Sequence, residues 1–197
     1  MNVDLFFCGD SVTNGIELEP WGREEKRFST LVAKKKNLSH HNISLSGACN
    51  DWIVKRAVNF FREGNTCKTA IIQFSAPERW NFYDAKKERF YNVGAKETTN
   101  NFLTSRMEEA HTAYYESIYT PELAIENYWK NVFFLDQYLK DKCDTMYLTL
   151  GYPVPHNDWT PDVEIGSVKL IVGDSRTIGH PTKEGHRKIA NHILSKF

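Results

Sequence analysis

The sequence is short of the residues that would place it outside ordinary globular chemistry. It carries 11 Gly and 7 Pro among 197 residues, too few for a collagenous or low-complexity chain. Its 4 cysteines, Cys8, Cys49, Cys67 and Cys143, show no CxxC spacing, so they read as reduced, structural thiols. Neither charge sign is in excess. The 25 Lys and Arg balance 25 Asp and Glu, which removes the positive field that drives counterion release from DNA or RNA, and nucleic acid is not an expected partner. No apolar run reaches the roughly 18 residues of a membrane span. The opening Met1 to Phe7 lacks the basic and long apolar regions of a secretory signal, so no membrane partner and a cytoplasmic location are expected. A metal centre is equally unsupported: HExxH is absent, and His180, His186 and His192 recur every six residues, which spreads them around a helix.

Aromatic residues are abundant, with 12 Phe, 9 Tyr and 5 Trp, which suits a densely packed core. The length fits one domain spanning residues 1–197. Val3 to Phe7 is an apolar run ending in a Gly9-Asp10-Ser11 turn, and reads as a buried strand. Helical spacing of Phe28, Leu31 and Val32 follows, with Lys34 to Lys36 at the helix end, where cations suit the dipole. Asn42 to Ser46 reads as a second strand. A helix capped by Asp51 carries Ile53, Ala57, Phe60 and Phe61 and stops at Gly64-Asn65; Thr69 to Phe74 is a third strand. Pro121 opens a helix with Trp129, Val132, Leu135 and Leu139 on its apolar face, and Thr145 to Leu150 is a fourth strand. Gly151 to Gly166 reads as a long loop, and a final helix begins near Thr182. Strands that are continuously apolar and alternate with helices predict a three-layer α/β/α domain built on a parallel sheet. The polar, aromatic-rich stretch near 80–120, with a helix from Ser105 to Tyr119, breaks the rhythm and reads as an insertion.

In such a sheet the carboxyl ends of the strands share one rim, so Gly9 to Gly15, Ser46 to Asp51, Ser75 to Arg79 and the Gly151 loop should meet there. Ser11 stands just past the first strand, between glycines that permit a sharp turn. A serine hydroxyl needs an adjacent base to become a nucleophile, and His180, in Gly179-His180-Pro181 ahead of the last helix, is the candidate. The glycines of Gly9 to Gly15 match no other motif: the Gly-Lys-Ser/Thr of a P-loop, the GxGxxG of a dinucleotide fold and the GxSxG elbow are all absent.

Together these segments resemble the SGNH hydrolases, the GDSL-type esterases and lipases. Phe7-Cys8-Gly9-Asp10-Ser11 matches the first motif of that family, Ser46-Gly47-Ala48-Cys49-Asn50-Asp51 the second, and Gly179-His180-Pro181-Thr182 the last. The resemblance implies a flavodoxin-like fold, Ser11 as nucleophile, Gly47 as an oxyanion-hole residue and His180 as base, with no cofactor. Two departures accompany it. The Gly-x-Asn-Asp motif expected after the third strand is replaced by Gln73-Phe74-Ser75-Ala76-Pro77-Glu78-Arg79, so the asparagine donor is missing and a Ser75 hydroxyl, the Asn50 amide or a backbone N–H is left to substitute. The acid normally three residues before the histidine is Thr177 here; Asp174 is the alternative acid, and a Ser-His dyad oriented by a backbone carbonyl is the other. The expected activity is hydrolysis of a small acyl ester, such as acetyl on a carbohydrate, with a catalytically weak or inactive module recognising a saccharide or protein partner as the alternative. Trp80, Phe82, Tyr83, Tyr91, Tyr114, Tyr115 and Tyr119 supply either an aromatic wall for sugar rings or the packing of the insertion, and His156 and Asp158 in the long loop are further pocket candidates. Oligomeric state is not legible.

Overall fold

A computed structural model describes residues 1–16, 18, 22–86, 89–93, 105–149, 163–164 and 180–197. Its centre is a five-stranded parallel sheet of β1 (Asn2–Cys8), β2 (His40–Asn42), β3 (Thr66–Gln73), β6 (Asp144–Thr149) and β7 (Val163–Glu164). The spatial order β2-β1-β3-β6-β7 is that of a flavodoxin-like sheet, in which the chain reverses direction between β1 and β3. Two further strands, β4 (Trp80–Asp84) and β5 (Arg89–Val93), form a separate antiparallel hairpin.

The two-residue alternation of β1 decides which helices cover which face. Phe6 points to one side, stacked on Phe60 at 4.1 Å between ring centroids, within a core shared by α4 (Asn50–Arg62) and α6 (Pro121–Leu139). Phe7 points to the other, edge-on to Phe28, in a core shared by α3 (Phe28–Lys36) and α7 (Lys183–Leu194). Both rings are fully buried, and each is worth roughly 1.5–3 kcal/mol relative to exposure. The α/β/α layering expected from the sequence is therefore present. The remaining helices among the described residues are α1 (Ser11–Asn14), α2 (Arg23–Lys26) and α5 (Ser105–Ser117).

Several boundaries differ from the sequence reading. The second strand is His40–Asn42, earlier than 42–46, because after the Ile43 N–H bonds the Phe7 carbonyl the chain turns into the loop beside the first turn. The third begins at Thr66, whose N–H pairs with the Met1 carbonyl. Helix α4 is preceded by Cys49 rather than capped by Asp51, which lies in its first turn, where a carboxylate still suits the dipole. The insertion holds the β4–β5 hairpin as well as the expected helix, and β7 lies within the stretch read as a loop, too short for a periodicity signal. Thr182 caps the last helix, which the sequence starts near that residue, and Thr120 caps α6, their hydroxyls accepting from the Gly185 and Leu123 N–H groups.

Candidate active site

Strand β1 delivers Ser11 to the sheet rim. The Asp10 carboxylate accepts a hydrogen bond from the Val12 N–H at 2.9 Å, and Gly15 ends the single helical turn of α1 at φ 76°, a conformation that favours glycine. From the far end of the chain, Pro181 is buried and the Thr182 cap starts α7, holding half-buried His180 at the same rim. The result is a 2.7 Å contact between His180 Nε2 and Ser11 Oγ across 169 positions of sequence.

The loop carrying Gly47 is registered against this turn by two contacts and closed on itself by a third. Leu45 N–H donates to the Gly9 carbonyl at 3.1 Å, Ala48 N–H donates to the Leu45 carbonyl, and the Asn14 amide donates to the Ser44 carbonyl at 3.1 Å. Gly47 itself has φ 77°, and a side chain added there would meet no atom within 4 Å, so the backbone is open to its surroundings. Among the described residues neither the Ser11 nor the Gly47 N–H donates a hydrogen bond.

Behind the serine, residues at and just past the end of β3 form a brace that the sequence does not announce. Gln73 Oε1 accepts from the Asp10 N–H at 3.2 Å and the Thr13 hydroxyl at 2.9 Å, while its amide nitrogen donates to the Phe74 carbonyl. The other Asp10 oxygen accepts from Ser75 Oγ at 2.9 Å and Arg79 Nη1 at 3.2 Å. Asn50 closes the network, accepting from the Ser75 N–H at 2.7 Å and donating to the Ser75 carbonyl at 3.1 Å. Asn50 and Ser75, considered as oxyanion donors from sequence, thus spend these polar groups on the brace. The available signal was Gln73, a polar residue ending an otherwise apolar run, since a buried amide demands partners. Arg79 had no such signal, being one of many charged residues outside a strand.

The rim cysteines are inert by comparison. Burial pushes both the Cys8 and Cys49 thiols up to about 12, so both stay protonated near neutral pH. His186, six residues past His180, is fully buried and stacked on Phe28, its Nδ1 accepting from the Phe28 N–H at 3.2 Å. It serves the core. Among the described residues no group of three or more His, Cys, Asp or Glu is placed to hold a metal ion, and no helix is long and apolar enough to cross a membrane. Asp174, Thr177, His156 and Asp158 lie outside the described residues.

The aromatic residues of the insertion contact one another. Trp80 stacks on Tyr114 at 4.0 Å and touches Phe82; Phe82 packs on Tyr91, and Tyr115 on Tyr119. The hairpin is tied to the rim by Asn92, whose side-chain oxygen accepts from the Cys49 N–H at 3.3 Å.

No protein-family model and no curated protein sequence matches the chain. Solved structures do. A member of the lipolytic G-D-S-L family from Veillonella parvula is similar over 100% of this chain and 98% of its own, with 10% identity and a TM-score of 0.55. An alpha/beta hydrolase from the metagenome of Lake Arreo is similar over 98% and 94%, with 13% identity and a TM-score of 0.57. A catalytic mutant of an acetylxylan esterase from Geobacillus stearothermophilus is similar over 98% and 93%, with 11% identity and a TM-score of 0.56. With its parallel sheet, its serine turn after β1 and end-to-end agreement with these structures, the chain has the fold of the SGNH hydrolases.

Proposed function

We propose that this protein is a serine esterase of the SGNH type that removes a small acyl group, such as acetyl, from a carbohydrate through an acyl-enzyme. The observation that carries the reading is the 2.7 Å contact between Ser11 Oγ and His180 Nε2. That distance lies within the range required of a general base and the proton it removes. The mutant acetylxylan esterase among the similar structures is consistent with the carbohydrate ester.

In the first half-reaction Ser11 Oγ forms a bond to the ester carbonyl carbon while His180 takes its proton. The Ser11 and Gly47 N–H groups receive the oxyanion. The intermediate collapses by breaking the carbon–alkoxide bond, and the imidazolium returns the proton to the leaving alcohol. Water then attacks the acyl-serine with His180 again as base, releasing the acid. No cofactor enters this sequence. Asp174 is the proposed orienting acid for His180, with a backbone carbonyl as the other means. Fluorophosphonate labelling with parallel hydrolysis of a short acyl aryl ester tests the reading. Both signals are expected in the native protein and absent in Ser11→Ala. An inert native protein, or an adduct that survives the substitution, refutes it.

A second reading, a catalytically weak or inactive module that binds a saccharide or protein partner, is favoured by one observation. The segment that carries an amide donor in the family holds Gln73 and Ser75, which are turned inward onto Asp10 and Thr13. Loss of one oxyanion donor costs roughly 100- to 1000-fold in rate. Ligand binding without any adduct would favour this alternative.

A further inference from the structure

A cleft of about 220 Å³ opens between the first turn of α4, the N-terminal half of α6, the segment after β3 and the insertion. It is smaller than the roughly 300–1,000 Å³ of sites for drug-sized ligands, so it has room for a single ring rather than an extended chain. Its described lining holds one carboxylate, Asp51, and one guanidinium, Arg79, and each already makes a hydrogen bond, though only Arg79 meets an opposite charge. Asp51 Oδ1 accepts from Asn131 Nδ2 at 3.1 Å, and Arg79 Nη1 donates to Asp10. An anionic ligand would meet the Asp51 carboxylate and a guanidinium already countered by Asp10.

The polar atoms left over are mixed in kind. The Asn81 side chain makes no hydrogen bond among the described residues, and the Asn131 side-chain oxygen accepts none, while its nitrogen is spent on Asp51 and the Asn127 carbonyl. The remaining guanidinium nitrogens of Arg79 are donors, and the second oxygen of Asp51 is an acceptor. Trp80 lines the cleft too. Its Nε1 is buried and has no partner among the described residues, and its ring is held flat against Tyr114. An acyl chain placed here would leave these groups unpaired. A hydroxyl group both donates and accepts, so a ring bearing several of them satisfies such a wall, and its C–H edges suit the aromatic pair.

We propose that this cleft binds one neutral, polyhydroxylated six-membered ring, a pyranose. It would hold the alcohol side of the ester, an assignment that rests on the esterase reading above. Arg79 joins the two sites, since one of its nitrogens meets the Asp10 carboxylate next to Ser11 while its side chain walls the cleft.

The test is titration of Ser11→Ala protein, which cannot turn over an ester, with methyl β-xylopyranoside, followed by ¹H–¹⁵N spectra of the indole groups. The Trp80 signal, assigned by its loss in Trp80→Phe, should shift saturably, and cyclohexanol at equal concentration should not reproduce the shift. Asn81→Ala in the same background should weaken the interaction about tenfold, the effect of roughly one good hydrogen bond. The absence of a saturable Trp80 shift, an equal response to cyclohexanol, or unchanged affinity in folded Asn81→Ala overturns the proposal. Should Asn81→Ala fail to fold, the Trp80 shift and the cyclohexanol comparison still decide. Fluorophosphonate labelling reports on the esterase reading separately: labelled native protein whose Ser11→Ala form ignores the pyranoside loses the cleft alone.

Discussion

Replacing Arg79 by methionine isolates the brace behind Ser11. Methionine keeps much of the aliphatic stem and removes the guanidinium, so the Asp10 carboxylate keeps its hydrogen bonds from Val12 and Ser75 but loses its countercharge. Asp10 is 1% exposed and Arg79 24% exposed, which places the pair between two limits. Breaking a fully buried pair costs about 3–5 kcal/mol, whereas a surface pair is worth about 0–1 kcal/mol. With two donors still in place and solvent reaching the arginine, a loss of about 2 kcal/mol is expected. For a chain of this size that lowers the melting temperature by roughly 4–8 °C. Scanning calorimetry on Arg79→Met measures it directly.

A double-mutant cycle with Asp10→Asn separates the ion pair from mere loss of packing. Asparagine still caps Val12 through its oxygen but presents an N–H₂ to Arg79, so each single variant suffers and the combination relieves the conflict. The double variant should be less destabilised than the sum of the two singles by at least about 1 kcal/mol. Agreement with the sum to within roughly 0.3–0.5 kcal/mol would show that the two groups are not coupled and refute the brace. On the esterase reading, kcat should fall as well, by up to about 100-fold if the serine turn shifts by an ångström.

Three further outcomes follow from the coordinates. A side chain at Gly9 would collide with the Thr13 hydroxyl and approach Gln73 Oε1 to 2.9 Å, so Gly9→Ala should cost about 1–3 kcal/mol by chemical denaturation; an unchanged midpoint would mean the brace yields easily. Thr182→Ala removes the cap that starts α7 two residues after His180 and should lose about 1 kcal/mol, measured the same way, an undiminished stability arguing against the cap. Burial, and then the charge of Arg27, pull His186 down from 6.5 to about 4, so folding favours its neutral form. That contribution is complete above pH 6.5 and is lost as pH falls through about 4, amounting to about 3 kcal/mol once both states are protonated. His186→Asn, which keeps an acceptor for the Phe28 N–H, should flatten the loss of stability between pH 6.5 and 4; a pH profile parallel to that of the native protein would exclude His186 as its source.

How much of this was legible in the sequence depended on whether the signal was local. The apolar run of β1, the turn ended by Gly15 and the Thr182 cap each advertise themselves within a few residues, because strand burial, positive φ and helix capping are short-range demands. The alternation of Phe6 and Phe7 was equally readable as a strand buried on both sides, and both faces are covered. Strand β7 escaped because two residues carry no periodicity, and the hairpin β4–β5 escaped because its aromatic residues fit a strand and a packed loop equally well. The proximity of Ser11 to His180 is of another kind. Nothing local joins them; the expectation that a parallel sheet gathers its strand ends at one rim, and the resemblance of the first and last motifs to one family, brought them together in advance.

The brace is where local reading ran out, and it bears on the chemistry. Gln73, Ser75 and Asn50 were legible as polar residues near the rim, and polar residues at a rim invite the reading that they face the ligand. The structure turns them inward because the serine turn has demands of its own: the buried Asp10 carboxylate needs donors, and the Asp10 N–H and Thr13 hydroxyl need an acceptor. Satisfying those groups fixes the direction of Ser11 while withdrawing side chains from the place where an oxyanion would form. On the esterase reading that leaves the backbone N–H groups of Ser11 and Gly47 to carry the oxyanion. Substitutions that loosen the brace should therefore slow the reaction without freeing a replacement donor: Ser75→Ala, which removes a hydroxyl bonded to Asp10, should lower kcat and melting temperature together. A drop in kcat at unchanged stability would instead mark Ser75 as a donor to the substrate.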